Sequence, residues 1–276
     1  MSAIPAVLAG LCDDAAVFPP GLAPLPDAVG AYRDRAGAWY AELVGPLVLA
    51  AAAVPGLDPL LPDDGTPLPL SVTFPEGPAQ VSDVRAAAAR LPVELRSIEV
   101  ALPVGMAVDA FFAQLDDVTG LDVYVEVPRD DRRDAVLDRL PGRYRAKFRT
   151  GGVRAELYPD EAELADGIAA VVAAGVPFKA TAGLHHALRN TDPETGFEQH
   201  GFLNVLLATD LLRTGSSTKD AIEVLAERDG ATVAGLVTEN VTGARAAFTS
   251  FGTCSITDPL TELVGLGIVT APEESE

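Results

Sequence analysis

The chain has 276 residues, 40 acidic against 20 basic side chains, a formal net charge of −20 and 48% hydrophobic content. So much apolar content supports a sizeable core and excludes wholesale disorder, while the charge excludes nucleic acid and anionic membrane surfaces as partners, both of which would be repelled. The length suits two ordinary domains or one large α/β barrel.

Residues 1–10 lack the basic flank and long apolar core of a signal peptide, and the longest apolar run, 44–54, contains Pro46 and is about half a membrane span. Two cysteines, Cys12 and Cys254, match no metal or redox spacing, which suits a reducing compartment. The expectation is a soluble cytoplasmic protein. Residues 1–43 read as a helical extension, with 27–43 a helix closing a barrel floor and 13–20 (Asp-Asp-Ala-Ala-Val-Phe-Pro-Pro) a lid or a packing strap.

Strand-like runs follow at 47–50, 70–74, 98–102, 123–127, 144–149, 177–181, 201–205 and 247–251. The Pro- and Asp-rich connection 55–67 has room for one short helical turn. Helical segments fill 81–91, 108–115, 129–140, 160–174 and 219–228, with Ser82-Asp83 and Asp160-Glu161 as caps or first-turn carboxylates. The stretch 201–212 also reads as a single buried helix, because a short apolar run does not decide between the two. Residues 271–276 read as a disordered tail. Strands alternating with helices predict βαβ units, and eight of them a single (β/α)8 TIM-like barrel over 1–270. An open doubly wound parallel sheet is the alternative.

Residues of a barrel strand alternate between helices and lumen. The apolar parity of 98–102 and 123–127 packs outward, sending Glu99 inward from the first and Tyr124 and Glu126 from the second. The same parity sends Arg145, Lys147 and Arg149 inward, then Lys179 and Thr181, and Asn204 from the run 201–205. Buried charges are costly unless paired, so such a set marks a site at the carboxyl ends of the strands.

The chain uses 17 arginines but only three lysines, Lys147, Lys179 and Lys219. Two of the three fall on the inferred lumen face. A lysine, unlike an arginine, can lose its proton and act as base or nucleophile. Lys219 reads as an ordinary surface residue. All three histidines, His185, His186 and His200, flank one loop on the same face and are natural proton carriers or metal ligands. Adjacent histidines point apart, so one of His185 and His186 faces the site. Arg149-Thr150-Gly151-Gly152 and the loop holding Ser250 and Gly252 combine hydroxyls and loop amides suited to an anion.

The run 174–183, Ala-Gly-Val-Pro-Phe-Lys-Ala-Thr-Ala-Gly, resembles the lysine-bearing sixth strand of deoxyribose-phosphate aldolase-type class I aldolases. The resemblance spans about ten residues and implies that Lys179 forms a Schiff base. Residue 180 is Ala, His-His follows Leu184, and the chain's second lysine lies on a different strand from that family's.

Three readings follow. The first is a cofactor-free class I lyase or aldolase. Lys179 is its nucleophile, with its pKa lowered by Lys147; Glu126 with His185 or His200 shuttles protons. Arg149, Thr150, Gly151, Gly152, Thr181, Asn204, Ser250 and Gly252 bind a small substrate carrying phosphate or carboxylate. The second is a hydrolase or isomerase using one divalent metal ion on Glu99, Glu126, His185, His186 and His200. The third is a non-catalytic binding protein on a barrel scaffold. A homo-oligomer is compatible with each.

Overall fold

β-branched and aromatic runs separated by helix-length connections fold as parallel strands, because each connection can return the chain to the same end of the sheet. The structure, a computed structural model, describes residues 4–62, 65–237 and 239–272. Its strands are β1 (Cys12–Asp14), β2 (Val44–Ala50), β3 (Leu68–Phe74), β4 (Val93–Ala101), β5 (Asp122–Glu126), β6 (Arg145–Arg149), β7 (Phe178–Thr181), β8 (Asn190–Thr191), β9 (Glu198–Gln199) and β10 (Phe248–Thr253). β8 and β9 pair as a small antiparallel ribbon. The other eight form a closed barrel in the order β1-β2-β3-β4-β5-β6-β7-β10, parallel throughout. The fold is thus the TIM-like (β/α)8 barrel, and the open sheet is excluded.

Helix α1 (Leu25–Arg35) follows β1, α2 (Val81–Ala88) follows β3, α3 (Val108–Leu115) follows β4, α4 (Arg133–Leu137) follows β5 and α5 (Glu161–Ala173) follows β6. Three helices, α6 (Phe202–Arg213), α7 (Thr218–Ala226) and α8 (Gly230–Leu236), lie between the ribbon and β10, and α9 (Thr257–Gly265) comes last. After β2 the chain forms a 3-10 stretch, Ala51–Leu60, containing Pro55 and Pro59. Prolines lack the N–H that an α-helix interior requires, so the connection is tighter than its neighbours. The Asp160 carboxylate accepts from the Glu163 amide at 2.8 Å and caps α5, as the sequence predicts. α2 begins at Val81, so Ser82 and Asp83 lie in its first turn and no side chain caps it.

Two boundaries differ from expectation. Residues 1–43 are not an extension: Cys12–Asp14 is the first barrel strand and closes the ring against β10, while α1 is the first connecting helix rather than a floor. The run 201–205 is not a strand but the start of α6, whose residues 202–209 are all buried. Packing on every side makes this helix apolar all round, so no amphipathic period distinguishes it from a core strand. Of the expected tail, residues 273–276 lie outside the described residues.

The outward face of the strands makes the core. Phe178 of β7 stacks on Phe248 of β10 at 5.2 Å between centroids, and Phe251 of β10 stacks on Phe202 of α6 at 4.7 Å. Full burial of each ring contributes about 2–3 kcal/mol, and the second pair docks α6 on the barrel. No helix among the described residues is long and apolar enough to cross a membrane.

Candidate functional site

Residues paired across parallel strands point to the same side of a sheet, so the register assigns the lumen rung by rung. Thr73, Glu99, Tyr124 and Arg145 form one rung. The next holds Glu126, Lys147, Lys179 and Ser250, and the one nearest the carboxyl ends holds Arg149, Thr181, Gly252 and Asp13. The inward parity expected for β4 to β7 is correct.

These side chains form a ladder of alternating charge. Arg149 Nε donates to Glu126 Oε1 at 3.0 Å, and Lys147 Nζ lies 3.2 Å from Glu126 Oε2 and 3.1 Å from Glu99 Oε2. Lys179 Nζ donates to Glu99 Oε1 at 2.5 Å and to Asp13 Oδ2 at 2.6 Å. Three cations face three carboxylates. Side-chain exposure falls from 37% at Arg149 through 18% at Glu126 and 8% at Lys147 to 1% at Lys179 and Glu99. The ladder therefore runs from the carboxyl-end mouth into the sealed lumen.

Hydroxyls complete it. Ser250 Oγ donates to Asp13 Oδ2 at 2.8 Å, and Ser97 donates to Ser71, which donates to Glu99 Oε1 at 3.1 Å. The Thr249 hydroxyl gives its proton to the Phe178 carbonyl, so the Tyr124 hydroxyl, 3.0 Å away, donates to Thr249. Lys179 Nζ stands 5.4 Å from the Tyr124 ring centroid, within cation–π range. Gly45 of β2 leaves space for Asp13: a Cβ there would lie 2.1 Å from Oδ1.

The electrostatics follow from burial set against pairing. Burial alone would raise the Glu99 pKa, but Lys179 and Lys147 carry it down to about 2. Burial opposes the Lys179 ammonium as well, and Asp13 and Glu99 outweigh it, holding the pKa above that of a free lysine. This reverses the expected lowering by Lys147, because two carboxylates at contact distance dominate. Glu126 is likewise held low by Lys147 and Arg149 against its burial. Asp13 goes the other way: burial raises its pKa, and Lys179 and Ser250 recover only part. It is the one carboxylate of the ladder whose pKa is raised rather than lowered.

The sequence-predicted residues divide. Lys147, Lys179, Glu99, Glu126, Arg149, Thr181, Ser250 and Gly252 share the lumen. Asn204 does not: it lies on α6, accepts from the Arg189 amide and donates to the Val224 and Glu227 carbonyls, fixing helix ends. His200 is also outside the lumen. Its Nε2 donates to the Pro159 carbonyl at 2.9 Å, and burial with nearby Arg189 pushes its pKa down to about 4. His186 faces α9, where Glu262 Oε1 at 2.6 Å raises its pKa. His185 is the one at the mouth, its Nδ1 3.5 Å from Cys254 Sγ, and burial and His186 lower its pKa.

The Thr150-Gly151-Gly152 loop is packed rather than open. Thr150 Oγ1 donates to the Ala182 carbonyl at 2.6 Å, the Gly152 carbonyl accepts from Tyr158, and a Cβ on Gly151 would sit 2.8 Å from Gly183 Cα. Glu99, Glu126 and the three histidines are not gathered into a ligand set; among the described residues no group of three His, Cys, Asp or Glu side chains is placed to hold a metal ion.

Sequence reasoning missed Asp13, whose strand has only three residues and whose acidic pair reads as a loop. Its signal was the apolar Leu8, Leu11 and Cys12 leading directly into two aspartates. Asp14 points away from the lumen to Arg35 of α1, and its pKa is raised by burial against that guanidinium. No protein-family model, curated protein or solved structure matches this chain.

Proposed function

We propose that the barrel is a cofactor-free lyase of the Schiff-base class, with Lys179 the nucleophile toward a small anionic carbonyl compound. The observation that carries this reading is the contact of Lys179 Nζ, at 2.6 Å, with Asp13, a carboxylate placed to accept the ammonium proton. Transfer of that proton leaves a neutral amine held by Glu99. The amine attacks the carbonyl carbon, and the oxygen takes up the proton from Asp13. The carbinolamine then loses water to give a protonated imine. That cation draws the electron pair of the adjacent carbon–carbon bond as it breaks, while the departing fragment's hydroxyl proton passes to the Glu126 carboxylate. Lys147, between Glu99 and Glu126, keeps both ionised.

Borohydride reduction traps the imine as a stable secondary amine. Untagged protein is incubated with a panel of short 2-oxo acids, aldehydes and sugar phosphates, reduced, and mapped by peptide mass. The expected adduct is on the peptide containing Lys179, and it is absent from Lys179→Met. Because that change leaves Asp13 buried without its cation, the pair Asp13→Asn with Lys179→Met serves as the folded control. An adduct on Lys147 alone, or none with any member of the panel, overturns the reading. Turnover is expected to survive chelator treatment.

A further inference from the structure

The rim of the mouth between β5 and β6 carries a cleft lined by Val127, Pro128, Phe148, Pro159 and Leu164, by one carboxylate, Glu163, and by three arginines: Arg129, Arg133 and Arg149. Each arginine is held differently. Arg129 is committed, with two bonds to the Glu163 carboxylate and a third to the Glu156 carbonyl. Arg149 gives only Nε to Glu126, and among the described residues its two terminal nitrogens have no protein acceptor. Arg133 is half-buried at the start of α4, beside Phe148 and Gly167, and no described carboxylate lies within ion-pair distance of it. The cleft thus keeps an unpaired guanidinium in a chain of net charge −20. Apolar walls lower the local dielectric and strengthen any ion pair formed there.

We infer that this cleft is the oxyanion subsite of the barrel, in which Arg133 and the terminal nitrogens of Arg149 grip the carboxylate or phosphate at one end of the ligand. The cleft volume is about 30 Å³, room for one oxygen of the group with the rest outside. Arg149 follows Lys147 by two residues, a rise of about 6.6 Å along β6, and Lys147 is register-paired with Lys179. An anion seated here therefore places a carbonyl only a few carbons away at the lysines, so the ligand is a short chain with an anionic terminus. The length argument rests on the lyase reading; the anion site does not.

Calorimetric titration of the full chain with inorganic phosphate, and separately with acetate, tests the site without reference to turnover. One equivalent of at least one probe is expected to bind saturably, weakened tenfold or more in Arg133→Leu and unchanged in Lys219→Met, which removes a positive charge from an exposed face of α7. The probe bound more tightly identifies the terminus as phosphate or carboxylate. Absence of saturable binding by both, equal binding by Arg133→Leu, or equal weakening by Lys219→Met overturns the assignment. Anion binding that persists where borohydride traps no adduct sinks the lyase reading and leaves the site standing.

Discussion

Lys147 and Lys179 occupy paired positions on adjacent parallel strands, yet one carboxylate, Glu99, holds both: Oε2 stands 3.1 Å from Lys147 Nζ and Oε1 2.5 Å from Lys179 Nζ. One buried carboxylate thus bridges two buried ammonium groups of adjacent strands. Glu99 is the structural keystone of the ladder.

Removing that charge leaves two buried cations sharing fewer anions, a loss of about 3–5 kcal/mol when one partner of a buried pair is deleted. Glu99→Gln, which preserves shape, is expected to lower Tm by on the order of 10 °C. Glu94→Gln breaks the exposed pair with Arg96 and leaves Tm nearly unchanged. Scanning calorimetry of the two variants makes the comparison; equal Tm values would show that the ladder contributes nothing to stability.

Acid sensitivity is expected in two stages. The folded chain keeps His200 neutral down to about pH 4, whereas the unfolded chain protonates it near 6.5, so stability falls as pH drops through that window. Glu99, protonated near 4.5 when unfolded and about 2 when folded, adds its loss over the lower interval. Between pH 7 and pH 5 the wild type is expected to lose about 2 kcal/mol more than His200→Gln. Urea unfolding at the two pH values measures this, and parallel losses would remove His200 as the sensor.

Asn204→Leu keeps the volume but orphans the Arg189 amide and the Val224 and Glu227 carbonyls. It is expected to cost about 3 kcal/mol or more while leaving phosphate binding and borohydride labelling intact. A change in labelling with no change in stability would return Asn204 to the site.

The two thiols differ in access. Cys12 is fully buried and Cys254 half-buried at the mouth; burial raises both pKa values. One thiol per chain, Cys254, is expected to react with iodoacetamide in the native state, slowly at neutral pH and faster as pH rises, with Cys12 reacting only on unfolding. Peptide mapping distinguishes them.

The barrel was legible because β5 to β7 and the carboxyl half of β4 carry apolar residues on one parity and polar residues on the other, and that parity located Glu99, Glu126, Lys147 and Lys179. It was blind where local pattern is overridden. Cys12-Asp13-Asp14 is too short and too acidic to read as a strand, and it becomes one only because Lys179, Ser250 and Arg35 neutralise or bond both carboxylates. The start of α6 misled because burial on all sides erases its period. His200 and Asn204 drew attention as polar residues near the expected mouth, but their partners are backbone carbonyls and amides that no spacing reveals.

The three-residue β1 has a consequence for how the molecule comes into being. Asp13 emerges early in synthesis, but Ser250, its partner on the strand that closes the ring, follows 237 residues later. Loop-closure entropy makes such distant pairings slow. Until β10 is made, β1 has an unpaired edge and the ring is open. Closing the ring and seating Asp13 against Ser250 and Lys179 are one event, so the innermost charge pairs of the barrel are completed only once the last strand is in place.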